Sequence, residues 1–228
     1  VSHYPRGKVV MTAPAKLPIV GKMHFKETTK EALMGFWEGI VEKTGLVINH
    51  NEGVSSIESR DHGFVVKSSV REYRSQAILL AIGRRGTPRK LGVPGEAKTK
   101  VVYRMIDPEQ YKNQHVLVVG GGDSALEAAV SISEEVGTMV TISYRSEAFS
   151  RAKEKNRIKV AEAQKQGRLN VLLQSNVKQI EDDKVMLTTP DGEVSIDNDA
   201  IIVCAGGILP TAFLKGIGIN VETKYGTV

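Results

Sequence analysis

Apolar residues in this chain fall into short unbroken runs separated by segments in which they recur every three or four positions. His115-Val-Leu-Val-Val119 and Met139-Val-Thr-Ile-Ser-Tyr144 read as buried strands, and residues 123–136 between them read as an amphipathic helix closed by Gly137. Upstream, Leu33, Phe36, Trp37, Ile40 and Val41 predict a helix from Glu27 to Lys43 with Trp37 in the core. A further helix over about 150–167 carries Arg151, Lys153, Lys155, Arg157, Lys159 and Lys165. Alternating patterns at Phe64-Val-Val-Lys-Ser and Val185-Met-Leu-Thr-Thr predict β-hairpins or meanders. Ala200-Ile-Ile-Val-Cys-Ala205 reads as a final buried strand.

The pattern repeats. Leu46, Val54, Ile57 and Glu58 match Leu169, Val177, Ile180 and Glu181 at a constant offset of 123 residues, and Leu80-Ala-Ile-Gly83 matches Cys204-Ala-Gly-Gly207 at 124. Each copy reads as a strand, a meander, and a last buried strand closed by glycine. The chain therefore predicts two similar α/β folds. Only the second copy has a glycine-rich turn ahead of its first helix, and the counterpart in the first copy is expected before Val1, as in a piece of a larger protein. Gly92-Val-Pro-Gly-Glu-Ala-Lys-Thr-Lys100 is turn-rich and marks the boundary. The expected division is 1–97, 98–208 and a C-terminal return at 209–228.

The turn itself is Gly120-Gly121-Gly122-Asp123-Ser124-Ala125, a Gly-x-Gly-x-x-Ala sequence between strand and helix. Gly120 permits a tight turn, Gly122 has no Cβ to obstruct a pyrophosphate, and Ala125 lets the helix pack closely on the strand. Amide groups at the helix N-terminus then face the phosphates. Strand, turn, helix and second strand span the length of a dinucleotide-binding βαβ unit, about 30 residues. At the end of the second strand, an Asp or Glu would hold the ribose 2′-OH of NAD. Tyr144-Arg145 stands there instead, with Arg151 six residues on. Two guanidinium forks suit a 2′-phosphate, and Tyr144 offers a ring for adenine, so NADPH is expected ahead of NADH, with Glu147 as the opposing charge.

The net charge of +5 arises largely from 84–104 and 145–168, beside this turn, so an anionic cofactor explains it without nucleic acid. With 41% hydrophobic residues and no run near the about 18 of a membrane span, a cytoplasmic globular protein is expected. The single cysteine, Cys204, excludes an internal disulfide or Cys-x-x-Cys pair and reads as a buried small hydrophobe. The five histidines show no metal-ligand spacing.

Taken together, Ile78-Leu-Leu-Ala-Ile-Gly83 followed by Gly92-Val-Pro-Gly95, the Gly120–Ala125 turn with Glu127, Tyr144-Arg-Ser-Glu-Ala-Phe-Ser-Arg151, and Ile201–Gly207 with Pro210-Thr211 resemble the two-dinucleotide-binding-domain flavoproteins. The thioredoxin-reductase-like branch is the nearest pattern. The resemblance implies two Rossmann-like FAD/NAD(P)-binding folds with β-meander crossovers, the first incomplete. It also implies an FAD-dependent NAD(P)H oxidoreductase in which hydride passes from NADPH to flavin and on to a disulfide or a ferredoxin-type iron–sulfur acceptor. Gly83 would lie toward the flavin; Ala205, Gly206 and Gly207 would border the nicotinamide. A homodimer is expected. The chain departs from the branch in three ways. The Cys-x-x-Cys ahead of the second glycine turn is replaced by Tyr103-Arg-Met-Ile-Asp-Pro108, the FAD glycine turn and the C-terminal Gly-Asp motif are absent, and Ser146 breaks the arginine pair. The rival reading is a module that binds NADPH without turning it over.

Overall fold

The computed structural model describes residues 9–11, 15–17, 20–25, 27–83 and 87–222. Residues 84–86, at the start of the basic stretch 84–104, and most of 1–19 lie outside them. In chain order the first elements are β1 (Val9–Met11), β2 (Ala15–Leu17), β3 (Gly21–Met23), β4 (Glu27–Thr29) and helix α1 (Lys30–Thr44). They continue with β5 (Val54–Arg60), β6 (Gly63–Ser68), β7 (Glu72–Ser75), β8 (Val101–Val102), β9 (His115–Val119) and helix α2 (Asp123–Ser133). Then follow β10 (Met139–Tyr144), α3 (Glu154–Lys165), β11 (Leu169–Leu173), β12 (Asn176–Ile180), β13 (Lys184–Thr189), β14 (Gly192–Asp197), β15 (Ala200–Val203) and α4 (Thr211–Gly216). No helix among the described residues is long and apolar enough to cross a membrane.

The chain forms two compact units. One takes in the described residues up to Gly39 together with Pro88–Gly206, and its heart is a five-stranded parallel sheet in the order β11-β10-β9-β15-β8. The connections explain that order: β9, β10 and β11 advance to one side, after which the chain crosses through the antiparallel meander β12-β13-β14 and returns as β15 on the other side of β9. Strand alternation then divides the core. Val116, Val118, Val140, Ile142, Ala200 and Ile202 pack under α2 and α3, while Leu117, Ile201 and Val203 meet Val177, Ile180, Val185 and Leu187 of the meander. Helix α2 contributes Ala125, Leu126, Ala129 and Ile132, all fully buried at helical spacing.

The other unit comprises Ile40–Thr87 and the described residues from Gly207 onward, and contains the antiparallel meander β5-β6-β7. The repeat is visible in its detail. The β5–β6 ladder shifts register between Val54 and Ser56, and the β12–β13 ladder shifts between Val177 and Gln179, the same two positions 123 residues later.

The structure corrects six boundaries or placements. The last strand expected over 78–83 does not form; no described strand pairs with it, and Leu79 is 91% exposed. Its counterpart β15 is held between β9 and β8, which supply the ladder that 78–83 lacks. Residues 46–49, counterparts of the start of β11, are likewise irregular and exposed. Helix α1 begins at Lys30 because the Thr29 hydroxyl accepts the Ala32 N–H, while Glu27–Thr29 pairs with β1. Trp37 is 38% exposed, set edge-on to Phe36, and Leu33 is the buried residue of that helix. Helix α2 ends at Ser133, short of residue 136, and α3 is trimmed to 154–165 at both ends.

Candidate dinucleotide site

Three strands of the parallel sheet end side by side. Val119 is in register with Ser143 and with Val203, so Gly120, Tyr144 and Cys204 form a row at the carboxyl edge. The Gly120 N–H donates to the Ser143 carbonyl at 2.9 Å, and the Cys204 N–H to the Val119 carbonyl at 2.7 Å. The row lies where the sheet's connections change direction, between β9 and β15. In open α/β sheets, that crevice is where ligands bind.

The glycine turn follows from how closely its neighbours approach. Gly120 has φ +143°, and a Cβ there would stand 2.6 Å from the Cys204 carbonyl oxygen. At Gly121 a Cβ would stand 2.4 Å from the Tyr144 ring. Gly122 is different: its backbone is extended, it precedes α2 directly, and a Cβ would meet nothing within 4 Å. Its carbonyl accepts both Ala125 N–H and Leu126 N–H. Among the described residues no acceptor reaches the amides of Gly121, Gly122, Asp123 or Ser124. Four N–H groups at the positive end of a helix dipole thus have no acceptor among the described residues.

The segment from Tyr144 to Lys153 is pinned at several points. At its start, Ser175 N–H donates to the Tyr144 carbonyl at 3.0 Å and Gln174 N–H to the Ser146 carbonyl at 3.1 Å. A buried Ser143–Ser175 hydroxyl bond of 2.7 Å lies directly beneath. Midway, Phe149 stacks on Tyr144 with centroids 5.5 Å apart and planes 20° from parallel, and Ala152 is buried in the core. At its end, Asp123 Oδ1 accepts the Lys153 N–H at 2.8 Å and the Asn156 side-chain amide at 2.7 Å. The Lys153 bond, with the Asn156 amide, holds the Asp123 carboxyl below its ordinary range. Between these pins Arg145 and Arg151 are exposed and form no ion pair among the described residues.

The structure therefore brings Gly120–Ala125, Tyr144, Arg145, Arg151 and Ala205–Gly206 to one edge of one unit. Gly83 and Gly207 belong to the other unit. Tyr144 does not present a bare ring for adenine, since Phe149 and Gly121 already pack on it. Cys204 follows the last residue of β15, and burial pushes its thiol pKa up to about 11. Lys153, Asn156, Phe149 and Ser175 are site residues that the sequence reading missed. One signal existed for Asn156: it shares the buried face of α3 with Val160 and Ala163, where an isolated polar residue implies a hydrogen-bond partner.

A profile of the family described as pyridine nucleotide-disulphide oxidoreductase matches residues 7–228. A ferredoxin–NADP reductase of Ignicoccus hospitalis is 29% identical over 192 residues, covering 81% of this chain and 59% of the relative. The bacilliredoxin reductase of Bacillus subtilis is 24% identical, covering 99% of this chain and 71% of the relative. Among solved structures, the bacillithiol disulfide reductase of Staphylococcus aureus superposes with a TM-score of 0.84 at 21% identity, covering 98% of this chain and 70% of that one. A thioredoxin reductase of T. acidophilum gives 0.71 at 22%, covering 88% and 66%. These superpositions establish the fold, a thioredoxin-reductase-like α/β architecture. The chain spans only part of each relative, 59% of the ferredoxin–NADP reductase.

Proposed function

The chain belongs to the pyridine nucleotide-disulphide oxidoreductase family, and on that footing we propose that it is the NAD(P)H-binding portion of an FAD-dependent oxidoreductase. The observation that carries this reading is the set of four amides at 121–124, which have no acceptor among the described residues, at the switch point of the parallel sheet. The division into 1–97, 98–208 and 209–228 belongs to the same proposal, as does a homodimer, which light scattering checks.

In this reading the pyrophosphate of the dinucleotide lies on the amides of 121–124, where Gly122 leaves room. Arg145 and Arg151 receive the 2′-phosphate and favour NADPH over NADH. Tyr144 borders the adenosine half and shapes the floor of the turn through Gly121. Ala205 and Gly206, beyond β15, border the nicotinamide half. Bound nicotinamide supplies hydride for transfer to a flavin; the residues here position it and keep water away. A flavin cradle would need a second glycine turn, and the described residues hold one.

The relatives named above act on ferredoxin or on bacilliredoxin. Within these 228 residues Cys204 is the single cysteine and its raised pKa keeps it a thiol, so a dithiol relay would need cysteines from elsewhere. The reading keeps both acceptor classes, a disulfide and a ferredoxin-type iron–sulfur centre.

The test is the visible spectrum of the purified chain after incubation with FAD and removal of free ligand, followed by anaerobic NADPH. A flavin band bleached by NADPH supports a working hydride-transfer unit. NADPH binding without oxidation, even with flavin supplied, is the result expected of a sensor. Binding of neither nicotinamide nucleotide would overturn the proposal.

A further inference from the structure

The pins on the 144–153 segment are not equivalent. Those at its start tie it to the loop after β11, and the stack of Phe149 on Tyr144 is internal to it. The last pin alone among these hydrogen bonds joins it to the glycine turn, for Asp123 is the first residue of α2, and its Oδ1 holds both Lys153 N–H and the Asn156 amide across the N-terminus of α3. Arg151 lies two residues before Lys153. Asn156 is 4% exposed and also donates to Glu127 Oε1 at 3.2 Å, one turn further along α2. A buried amide spanning two carboxylates on one helix from the first turn of another fixes the separation of the two helix N-termini.

We infer that Asp123 and Asn156 are positioning residues for dinucleotide choice: they set the distance from the pyrophosphate cradle to Arg151, and through it the preference for NADP over NAD. The inference rests on the proposed nucleotide site. A guanidinium fork discriminates by geometry, so a loop end released from the turn keeps its charge and loses its register. The pyrophosphate cradle is made by main-chain amides and does not need the clamp. Breaking the clamp therefore penalises the nucleotide with a 2′-phosphate and spares the one without.

The experiment is calorimetric titration of the chain with NADP⁺ and with NAD⁺, for the wild type and for Asn156→Leu, Asp123→Ala and Asp123→Asn. In Asn156→Leu, NADP⁺ binding is expected to weaken about tenfold while NAD⁺ binding stays within about twofold; Asp123→Ala removes a charge beside the pyrophosphate cradle and so alters both affinities, and there the NADP⁺ to NAD⁺ affinity ratio is what falls, about tenfold. Asp123→Asn keeps a carbonyl oxygen for both donors and retains most of the preference. If Asn156→Leu does not fold, Asp123→Ala, at a half-buried position that leaves no sealed cavity, carries the test. An unchanged NADP⁺ to NAD⁺ ratio in the folded variants overturns the inference, and so does equal weakening of both nucleotides, which marks a merely structural tie. A wild type that binds neither nucleotide, or binds both alike, is a failure of the proposed site itself.

Discussion

The ring of Tyr144 lies on Gly121, so close that a Cβ at 121 would stand 2.4 Å from its atoms, while Phe149 covers the ring at 5.5 Å. The turn and the segment bearing the two exposed arginines therefore share a surface. Substitutions in the glycine turn separate folding from ligand binding because its three glycines are required for different reasons.

Gly120→Ala places a Cβ 2.6 Å from a backbone carbonyl at φ +143°, a conformation that L residues rarely adopt. It is expected to cost about 2 kcal/mol or more of stability along with nucleotide binding. Gly122→Ala meets nothing within 4 Å. It is expected to leave stability within about 0.5 kcal/mol of wild type and still to weaken dinucleotide binding, because the methyl enters the phosphate's space. Urea denaturation and nucleotide titration of the pair check both halves.

Arg145→Ala and Arg151→Ala each remove an exposed guanidinium with no ion pair among the described residues. Stability should hardly move. NADP⁺ affinity should fall about tenfold per arginine, with NAD⁺ little changed. A salt titration adds a signature: the NADP⁺ advantage shrinks as ionic strength rises.

Cys204 gives a pH prediction. Its thiol pKa is raised to about 11 by burial, whereas an unfolded cysteine ionises near 9. A raised folded pKa adds stability below the unfolded value that is lost as pH climbs to the folded one. Between pH 9 and 11 the chain should therefore lose up to about 3 kcal/mol from this group, and Cys204→Ala should flatten that alkaline limb. Iodoacetamide at pH 8 should label the urea-unfolded chain and spare the native one.

Leu126 and Leu79 are both leucines in apolar segments, but one is fully buried beneath the sheet and the other is exposed in the second unit. Leu126→Ala is expected to cost about 2–5 kcal/mol, and Leu79→Ser less than about 0.5. Equal effects would show that 78–83 is buried in solution.

Much of this was legible in advance because the signals were local. The β9 and β10 boundaries appear as expected, since each is an unbroken apolar run between polar ends. The 123-residue repeat anticipated two meanders, and the shared bulge at Val54/Ser56 and Val177/Gln179 follows from it. What failed depended on neighbours. Residues 78–83 have the apolar content of a central strand, but no strand among the described residues flanks them, and hydrophobicity cannot report a missing ladder. Trp37 satisfied the helical period, but the face it lies on is only partly covered. The Asp123 tie to Lys153 and Asn156 bridges about 30 residues, and no periodicity encodes a contact between two helix N-termini.

In the proposed reading the 120–125 turn and the 145–151 segment form one dinucleotide site that prefers a 2′-phosphate. Calorimetric titration of the chain with NADP⁺ and NAD⁺, with Gly122→Ala as the control, tests it most directly. One NADP⁺ is expected per chain, bound more tightly than NAD⁺, with both weakened by the added methyl. Absence of binding, or binding indifferent to Gly122→Ala, would contradict it.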